Sequence, residues 1–195
     1  SGYNLGYLLK DFISIRLSNI SLRQKTNDTI KKIQFSHIKG GNFIQGTENK
    51  SLYLSFDNER PAFKKVIKDF SISKYPVTEH QFLQFILDGG YNENTYWFEE
   101  SWDWIQSNNI KCPLYWSMDN LLERDTNYPV MNISWYEAKA FCEWTGTRLP
   151  YESEWEYVAT CCGKYNYPWG NDMRPEYCNL NYMINSPLEV DDEIL

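Results

Sequence analysis

The chain holds two histidines, His37 and His80, and five cysteines, Cys112, Cys142, Cys161, Cys162 and Cys178. A three-histidine iron site cannot be built from two histidines. A two-histidine, one-carboxylate iron(II) triad is arithmetically open, but no spacing makes His37 and His80 converge. Both are expected on solvated surfaces, His80 on the helix face opposite Phe82 and Phe85. The cysteines form no CxxC pair and no metal-finger spacing. An odd count in a chain of 195 residues reads as reduced, buried thiols of a cytoplasmic protein. Cys161-Cys162 is a vicinal pair, and closing it would strain the intervening peptide. A reactive thiolate there needs a cationic neighbour, for which Lys164 and Arg148 are the candidates; inert burial is the expectation.

Acidic residues cluster at Glu99-Glu100, at Glu152, Glu154 and Glu156, and at Asp191-Asp192. Paired carboxylates can cleave glycosidic bonds, but nothing fixes two of them across a cleft, and a solvated face is expected. The run Asp57-Asn58-Glu59-Arg60-Pro61 is a dense polar cluster of the kind that ties a loop to its own backbone. Arg148 is expected in a buried ion pair with Glu154 or Glu156. No GxSxG, P-loop or GxGxxG occurs, which removes the common hydrolase, nucleotide and dinucleotide signatures.

Composition narrows the classes further. Lys+Arg 19 against Asp+Glu 26 gives −7, so no basic nucleic-acid surface or polybasic membrane anchor is expected. No run of about 18 apolar residues is present to span a membrane. The first residues, Ser1-Gly2-Tyr3-Asn4, show neither an initiator Met nor a secretory leader. The 15 Tyr, 10 Phe and 8 Trp suit a fold with few regular elements, pinned by large rings.

These residues must be positioned by elements the sequence marks unevenly. Leu8, Leu9, Phe12, Ile13, Ile15 and Leu17 recur at helical spacing, which predicts a helix over about 5–23. Residues 1–32 then read as a helical linker or the tail of a preceding domain, and 33–195 as the main unit. Ile33–Ile38 alternates like a strand, and Gly40-Gly41 suggests a hairpin into Asn42–Gln45. Phe70–Ser73 alternates again. Thr78-x-x-Gln81 and Ser134-x-x-Glu137 are capping boxes that open helices ending at Gly89-Gly90 and Gly146. A third helix is predicted over about 152–159 with Trp155 inward. Residues 91–133, rich in Trp, Tyr, Asn and Pro, read as a long irregular stretch held by its rings. The class is α+β with short strands, few helices and much irregular backbone.

Several motifs then fall in one order. They are Gly40-Gly41-Asn42-Phe43-Ile44-Gln45-Gly46, Asp57-Asn58-Glu59-Arg60-Pro61, Tyr75-Pro76-Val77-Thr78-x-x-x-Phe82, and Pro129-Val130 with Ser134-Trp135-Tyr136-Glu137-Ala138. Phe141-Cys142-x-Trp144-x-Gly146-x-Arg148-Leu149-Pro150, Glu154-Trp155-Glu156 and Pro168-Trp169-Gly170 follow. The series resembles the formylglycine-generating-enzyme, or sulfatase-modifying factor, domain over about 33–182. The resemblance implies a C-type-lectin-like α+β fold, with Asp57, Asn58, Glu59, Arg148, Glu154 and Trp155 as structural motif residues. Asp88-Gly89-Gly90-Tyr91, Trp97, Ser101-Trp102-Asp103-Trp104 and Pro113-Leu114-Tyr115-Trp116 resemble the insertion, here about 91–128, of the sulfoxide synthases of ergothioneine and ovothiol biosynthesis.

That second resemblance implies iron(II)- and oxygen-dependent C–S bond formation between the thiol of cysteine or γ-glutamylcysteine and the imidazole of a histidine-type substrate. It also implies a partner domain, helical and N-terminal, carrying the iron-binding HxxxHxE motif, which these residues lack. The family's GNxWEW segment and the paired cysteines of formylglycine-generating enzymes are absent too, so the domain is expected to be incomplete at its C-terminus. Catalytic residues are therefore assigned to none of these positions, and iron is expected to be bound elsewhere. A fragment with exposed sheet edges is expected to be marginal in stability. Trp102, Asp103, Trp104, Tyr115 and Trp116 are expected to bound the mouth of the active site, because aromatic walls plus a carboxylate suit cationic or betaine substrates. The alternative is that these rings are the insertion's own core. Asn179 and Leu180 match a calcium-binding stretch of formylglycine-generating enzymes, with Asp191 a further oxygen ligand. Tyr151 stands where the family has Thr after Leu-Pro, forgoing a helix cap of about 1 kcal/mol. Two other functions stay open: a non-catalytic ligand- or protein-binding module, and a formylglycine-generating enzyme acting on sulfatases.

Overall fold

The computed structural model describes residues 14–15, 33–48, 56–179 and 187–190. The backbone is mixed α and β with two small sheets. The strands are β1 (Ser14–Ile15), β2 (Phe35–Ile38), β3 (Gly41–Gln45), β4 (Phe63–Ile67) and β5 (Phe70–Ser73). The helices are α1 (Glu79–Leu87), α2 (Glu99–Ser107), α3 (Trp135–Thr145) and α4 (Glu152–Ala159).

The hairpin expected around Gly40-Gly41 does not form. β2 pairs with β5 and β3 pairs with β4, all antiparallel, in one unbroken register. Ile38 faces Phe70 and Gly41 faces Ile67, so residues 35–45 and 63–73 make a long ribbon that breaks in step on both arms. The two glycines sit at that break rather than at a reversal. The Asp69 carboxylate accepts the Gly40 N–H at 2.9 Å, and a Cβ on Gly40 would lie 2.2 Å from the Ile67 carbonyl oxygen. Only glycine lets the two backbones approach so closely. Asp69 also accepts from Lys39 at 3.1 Å, and the Gly40 amide and Lys39 together hold its carboxyl below the usual range.

Ser14 and Ile15 pair antiparallel with Ile72 and Ser71. A strand therefore stands at the middle of the stretch read as helix, where the free edge of β5 offers its backbone groups a partner. The rest of 5–23 lies outside the described residues.

Both capping boxes form. The Thr78 hydroxyl accepts the Gln81 N–H at 3.2 Å and the Gln81 side chain accepts the Thr78 N–H at 3.0 Å. Ser134 and Glu137 do the same at 3.2 and 2.6 Å. Gly146 ends α3 at φ 70°, in the left-handed region that favours glycine. α1 and α3 pack through rings: Phe82 stacks on Phe141 at 5.5 Å, and Phe85 meets Trp144 at 5.7 Å. These rings, with Tyr91, Trp97, Ile105, Leu121 and Val130, form the larger core.

A smaller core holds Phe43, Ile67, Phe70, Ile72 and Tyr157 between the ribbon and α4. The inward residue of α4 is Tyr157, edge-on to Phe43 at 5.5 Å with its hydroxyl donating to the Lys39 carbonyl at 3.2 Å. Trp155, expected inward, is half-buried, because Ser153, Glu154 and Tyr157 take the buried face. Tyr151 caps α4 without its side chain; the Glu154 carboxylate accepts the Tyr151 N–H at 2.8 Å instead.

The stretch read as irregular over 91–133 contains α2 and 3-10 turns at Asn94–Tyr96 and Met118–Arg124. α2 buries only Ser101 and Ile105; its residues do alternate at helical spacing, but so few of them are apolar that the pattern is easily passed over. Glu99 and Glu100 in its first turn favour the helix by opposing its dipole. Among the described residues no helix is long and apolar enough to cross a membrane.

Candidate functional site

The insertion has a buried base and an exposed tip. At the base, Trp97 Nε1–H donates to the Gly90 carbonyl at 2.8 Å. The Tyr91 hydroxyl donates to Glu137 Oε1 at 2.5 Å. Glu137 thereby serves twice, since its other oxygen takes the Ser134 amide that starts α3. Burial, and then the neighbouring Glu137 charge, push the Tyr91 hydroxyl well above its ordinary pKa. The Cys112 thiol is raised by the same two causes.

The five residues expected at the mouth of an active site divide between these zones. Trp102 and Trp116 are half-buried against the larger core, and Trp116 meets Phe82 edge-on at 6.2 Å. Asp103, Trp104 and Tyr115 are exposed, Trp104 by 60% and Tyr115 by 76%. Tyr115 also has a left-handed φ of 69°, which turns the chain outward between Leu114 and the half-buried Trp116. Cavities of ≈ 180 and ≈ 570 Å³ elsewhere in the fold are lined by other residues.

Next to Trp116 lies a polar cluster that the sequence reading passed over. Glu79, the first residue of α1, is buried, with Oε1 accepting from Arg124 Nη1 at 3.3 Å and Oε2 from the Thr126 hydroxyl at 2.9 Å. Arg124 also donates to the Tyr115 carbonyl at 3.4 Å and lies 5.4 Å from the Trp116 ring centroid. His80 Nδ1 pairs with Asp125 Oδ1. Two adjacent residues, Glu79-His80, thus meet two others of opposite order, Arg124-Asp125. The sequence signal was that charge complementarity, but 45 positions separate the pairs and no periodicity links them. His80 is consequently not on the open surface expected for it; its side chain is only 28% exposed, with Asp125, the residue that ends the 3-10 turn, lying against it. His37 does stand in solvent, 3.9 Å from Asp69.

Arg148 makes the expected ion pair, with Glu154, in a two-point fork of 2.7 and 2.6 Å; Glu156 instead accepts the Gly46 N–H at 2.8 Å. Burial raises the Glu156 carboxyl, opposed by that amide. Asp57, Asn58 and Glu59 form a 3-10 turn. Glu59 ties it down, its side chain accepting the Phe56 N–H and its carbonyl the Thr47 N–H, each at 2.8 Å.

Of the cysteines only Cys142 is buried, and burial lifts its thiol to about 12. The burial expected for Cys161 and Cys162 does not occur: Cys161 is half-buried and Cys162 exposed. Beyond α4 the chain turns left-handed through Cys161, Cys162 and Gly163, at φ 49, 64 and 77°, which lays that turn on the surface. Asn179 is exposed; Leu180 and Asp191, its expected calcium-site companions, lie outside the described residues. Among the described residues no three His, Cys, Asp or Glu side chains converge as a metal site. With His80 turned to Asp125 and His37 beside Asp69, the donor set does not fit an iron(II) centre.

Residues 22–189 match the sulfatase-modifying factor enzyme 1-like domain. The chain belongs to this family. It is 31% identical over 161 residues to the hercynine oxygenase of Mycobacterium tuberculosis, covering 76% of this chain and 38% of that protein. It is 29% identical over 168 residues to the inactive C-alpha-formylglycine-generating enzyme 2 of Mus musculus, covering 74% and 53%. The formylglycine-generating enzyme of the same species is 28% identical over 171 residues, covering 73% and 45%. The chain thus spans between about a third and a half of the length of these relatives.

Proposed function

We propose that this chain is the lectin-like domain of a cytoplasmic iron- and oxygen-dependent sulfoxide synthase, which joins a cysteine or γ-glutamylcysteine thiol to a histidine-type imidazole. The observation that carries the reading is the pairing of the ring-rich insertion at 91–128 with 31% identity to a hercynine oxygenase over three quarters of the chain. In this reading the iron ligands belong to an N-terminal helical domain of a longer protein, and residues 33–195 supply scaffold and part of the substrate wall. Free cysteines suit a reducing compartment. The role given to this chain's own side chains is binding: Trp104 and Tyr115 offer ring faces, and Asp103 a carboxylate, to a cationic ammonium group.

The whole open reading frame, loaded with iron(II) and supplied with oxygen, a thiol substrate and trimethylhistidine, is expected to yield a sulfoxide product by mass spectrometry. Conversion of a sulfatase-derived cysteine peptide to formylglycine instead would move the protein to the other branch of the family. The 195-residue chain titrated anaerobically with iron(II) is expected to show no tight site. Stoichiometric binding there would put the iron ligands inside these residues and overturn the division of labour.

A non-catalytic binding module is the second reading. It is favoured by the internal pairing of Arg148 with Glu154, Glu79 with Arg124 and His80 with Asp125, and by the likeness to an enzyme described as inactive. An open reading frame without an HxxxHxE domain, inert in the assay above, would support it.

A further inference from the structure

Tyr115 holds a backbone conformation that its side chain disfavours. The Trp116 N–H donates to the Pro113 carbonyl at 3.0 Å, which closes a turn with Leu114 and Tyr115 at its centre. The positive φ falls on Tyr115, the position where a type II turn takes glycine or asparagine. A bulky residue there is strained, and such strain persists only where the surrounding structure over-determines it. The two ends of the turn are anchored. Pro113 is fully buried, Trp116 packs against Phe82, and the Cys112 thiol donates to the Trp116 carbonyl at 3.5 Å. The centre is not packed in that way: Leu114 and Tyr115 are both exposed. Glycine would make the same turn without strain, so the fold itself does not call for a tyrosine there.

The contact that reaches the centre comes from Arg124, the last residue of the 3-10 turn Met118–Arg124. Its Nη2 donates to the Tyr115 carbonyl at 3.4 Å, and its guanidinium carbon lies 5.4 Å from the Trp116 ring centroid. Its Nη1 donates to Oε1 of buried Glu79 at 3.3 Å, and Oε2 of Glu79 is held by the Thr126 hydroxyl. A strut thus runs from the first residue of α1, through Glu79 and Arg124, to the carbonyl of the strained residue. The planar fork of arginine reaches two acceptors in a fixed geometry, which a lysine cannot do.

We propose that Arg124 is a positioning residue for substrate binding, fixing the turn so that the Tyr115 ring meets the ammonium group of the histidine-type substrate. The inference rests on the sulfoxide-synthase reading above and adds the support that reading lacks at the tip. The charge of Arg124 is answered by Glu79, so Arg124 acts through Tyr115 and not on the substrate. A cation–π contact depends on where the ring face lies, and a ring on an exposed turn keeps its place only if neighbouring groups hold the turn.

The test measures KM and kcat of the whole enzyme with trimethylhistidine and the thiol substrate. Tyr115→Gly is expected to raise the KM for trimethylhistidine about two- to fivefold, with kcat and the thiol KM unchanged, and to melt no lower than the native sequence. Arg124→Met is expected to raise the same KM by up to the same factor, and to add nothing further in the Tyr115→Gly background. Arg124→Lys, which keeps the charge and loses the fork, is expected to behave like Arg124→Met and serves if that variant misfolds. A native trimethylhistidine KM in both Arg124 variants, full recovery by lysine alone, an additive effect in the double variant, or a lower melting temperature in Tyr115→Gly would each overturn the inference while sulfoxide formation by the native enzyme leaves the reading standing. No sulfoxide from the native enzyme would overturn the reading and this inference with it.

Discussion

The base and the tip of the ring-rich insertion have similar compositions and opposite roles. Tyr91, Trp97, Ile105 and Leu121 are buried within the larger core, and the polar atoms of Tyr91 and Trp97 are each met by a named partner. Asp103, Trp104 and Tyr115 sit on the same segment in solvent. Aromatic content alone does not separate scaffold from surface here. What separates them is whether the ring's polar atom has a protein partner, because a buried indole or phenol needs one.

The base is where substitution should cost most. Trp97→Ala deletes a buried ring and orphans the Gly90 carbonyl, so a loss of about 3–5 kcal/mol is expected by chemical or thermal unfolding. A loss below about 1 kcal/mol would mean that the base is not part of the core, and the contrast with the tip would collapse.

Glu137→Gln comes next, with about 1–3 kcal/mol expected, because one carboxylate serves both the Tyr91 hydroxyl and the Ser134 amide and a neutral amide cannot accept at both atoms. The same pair predicts a pH dependence. The folded-state pKa of Tyr91 is raised, so its contribution is complete below the ordinary tyrosine value near 10 and declines as pH climbs from there toward the folded value. Between those values the unfolded chain releases the proton and the folded chain keeps it. Unfolding midpoints measured from pH 8 to 11 should therefore fall more steeply for the native sequence than for Tyr91→Phe. Parallel curves would show that Tyr91 is not the group responsible.

Arg124→Met probes the boundary between the zones. It removes the cation from buried Glu79 and from the face of Trp116. The guanidinium is itself 36% exposed, so solvent screening limits the effect to about 1 kcal/mol. Double substitution with Glu79→Gln should cost less than the sum of the two single changes, because each removes the same pair. Strict additivity would show that the pair contributes nothing.

How much of this was legible in the sequence follows the range over which each signal acts. The capping boxes at Thr78 and Ser134 and the stop at Gly146 are local, and each stands where the spacing put it. The Arg148–Glu154 fork spans six positions and was legible for the same reason. The ribbon partner of 35–45 was not, because glycine pairs suggest turns and nothing near them reveals a backbone 27 residues away at Ile67. Nor was the Glu79-His80 meeting with Arg124-Asp125, which exists only once the 3-10 turn folds back over α1. α2 was obscured by its composition: a helix that buries two residues and is otherwise mostly polar carries its helical period on few apolar side chains.

The smallest expected change in stability is the most informative about function. Trp104→Ala removes a ring that is 60% exposed, so stability should move by no more than about 0.5 kcal/mol. If the tip binds a cationic substrate, the same change should raise the KM of the whole enzyme for trimethylhistidine. Loss of one cation–π contact, worth about 0.5–1 kcal/mol at an exposed site, corresponds to a two- to fivefold effect. The KM for the thiol substrate should stay where it was. Trp104→Phe should recover most of the loss, since it restores a ring face without the indole N–H. A Trp104→Ala enzyme with unaltered KM for both substrates would leave the tip as plain surface, and the search for the substrate wall would then move toward Trp116 and Arg124.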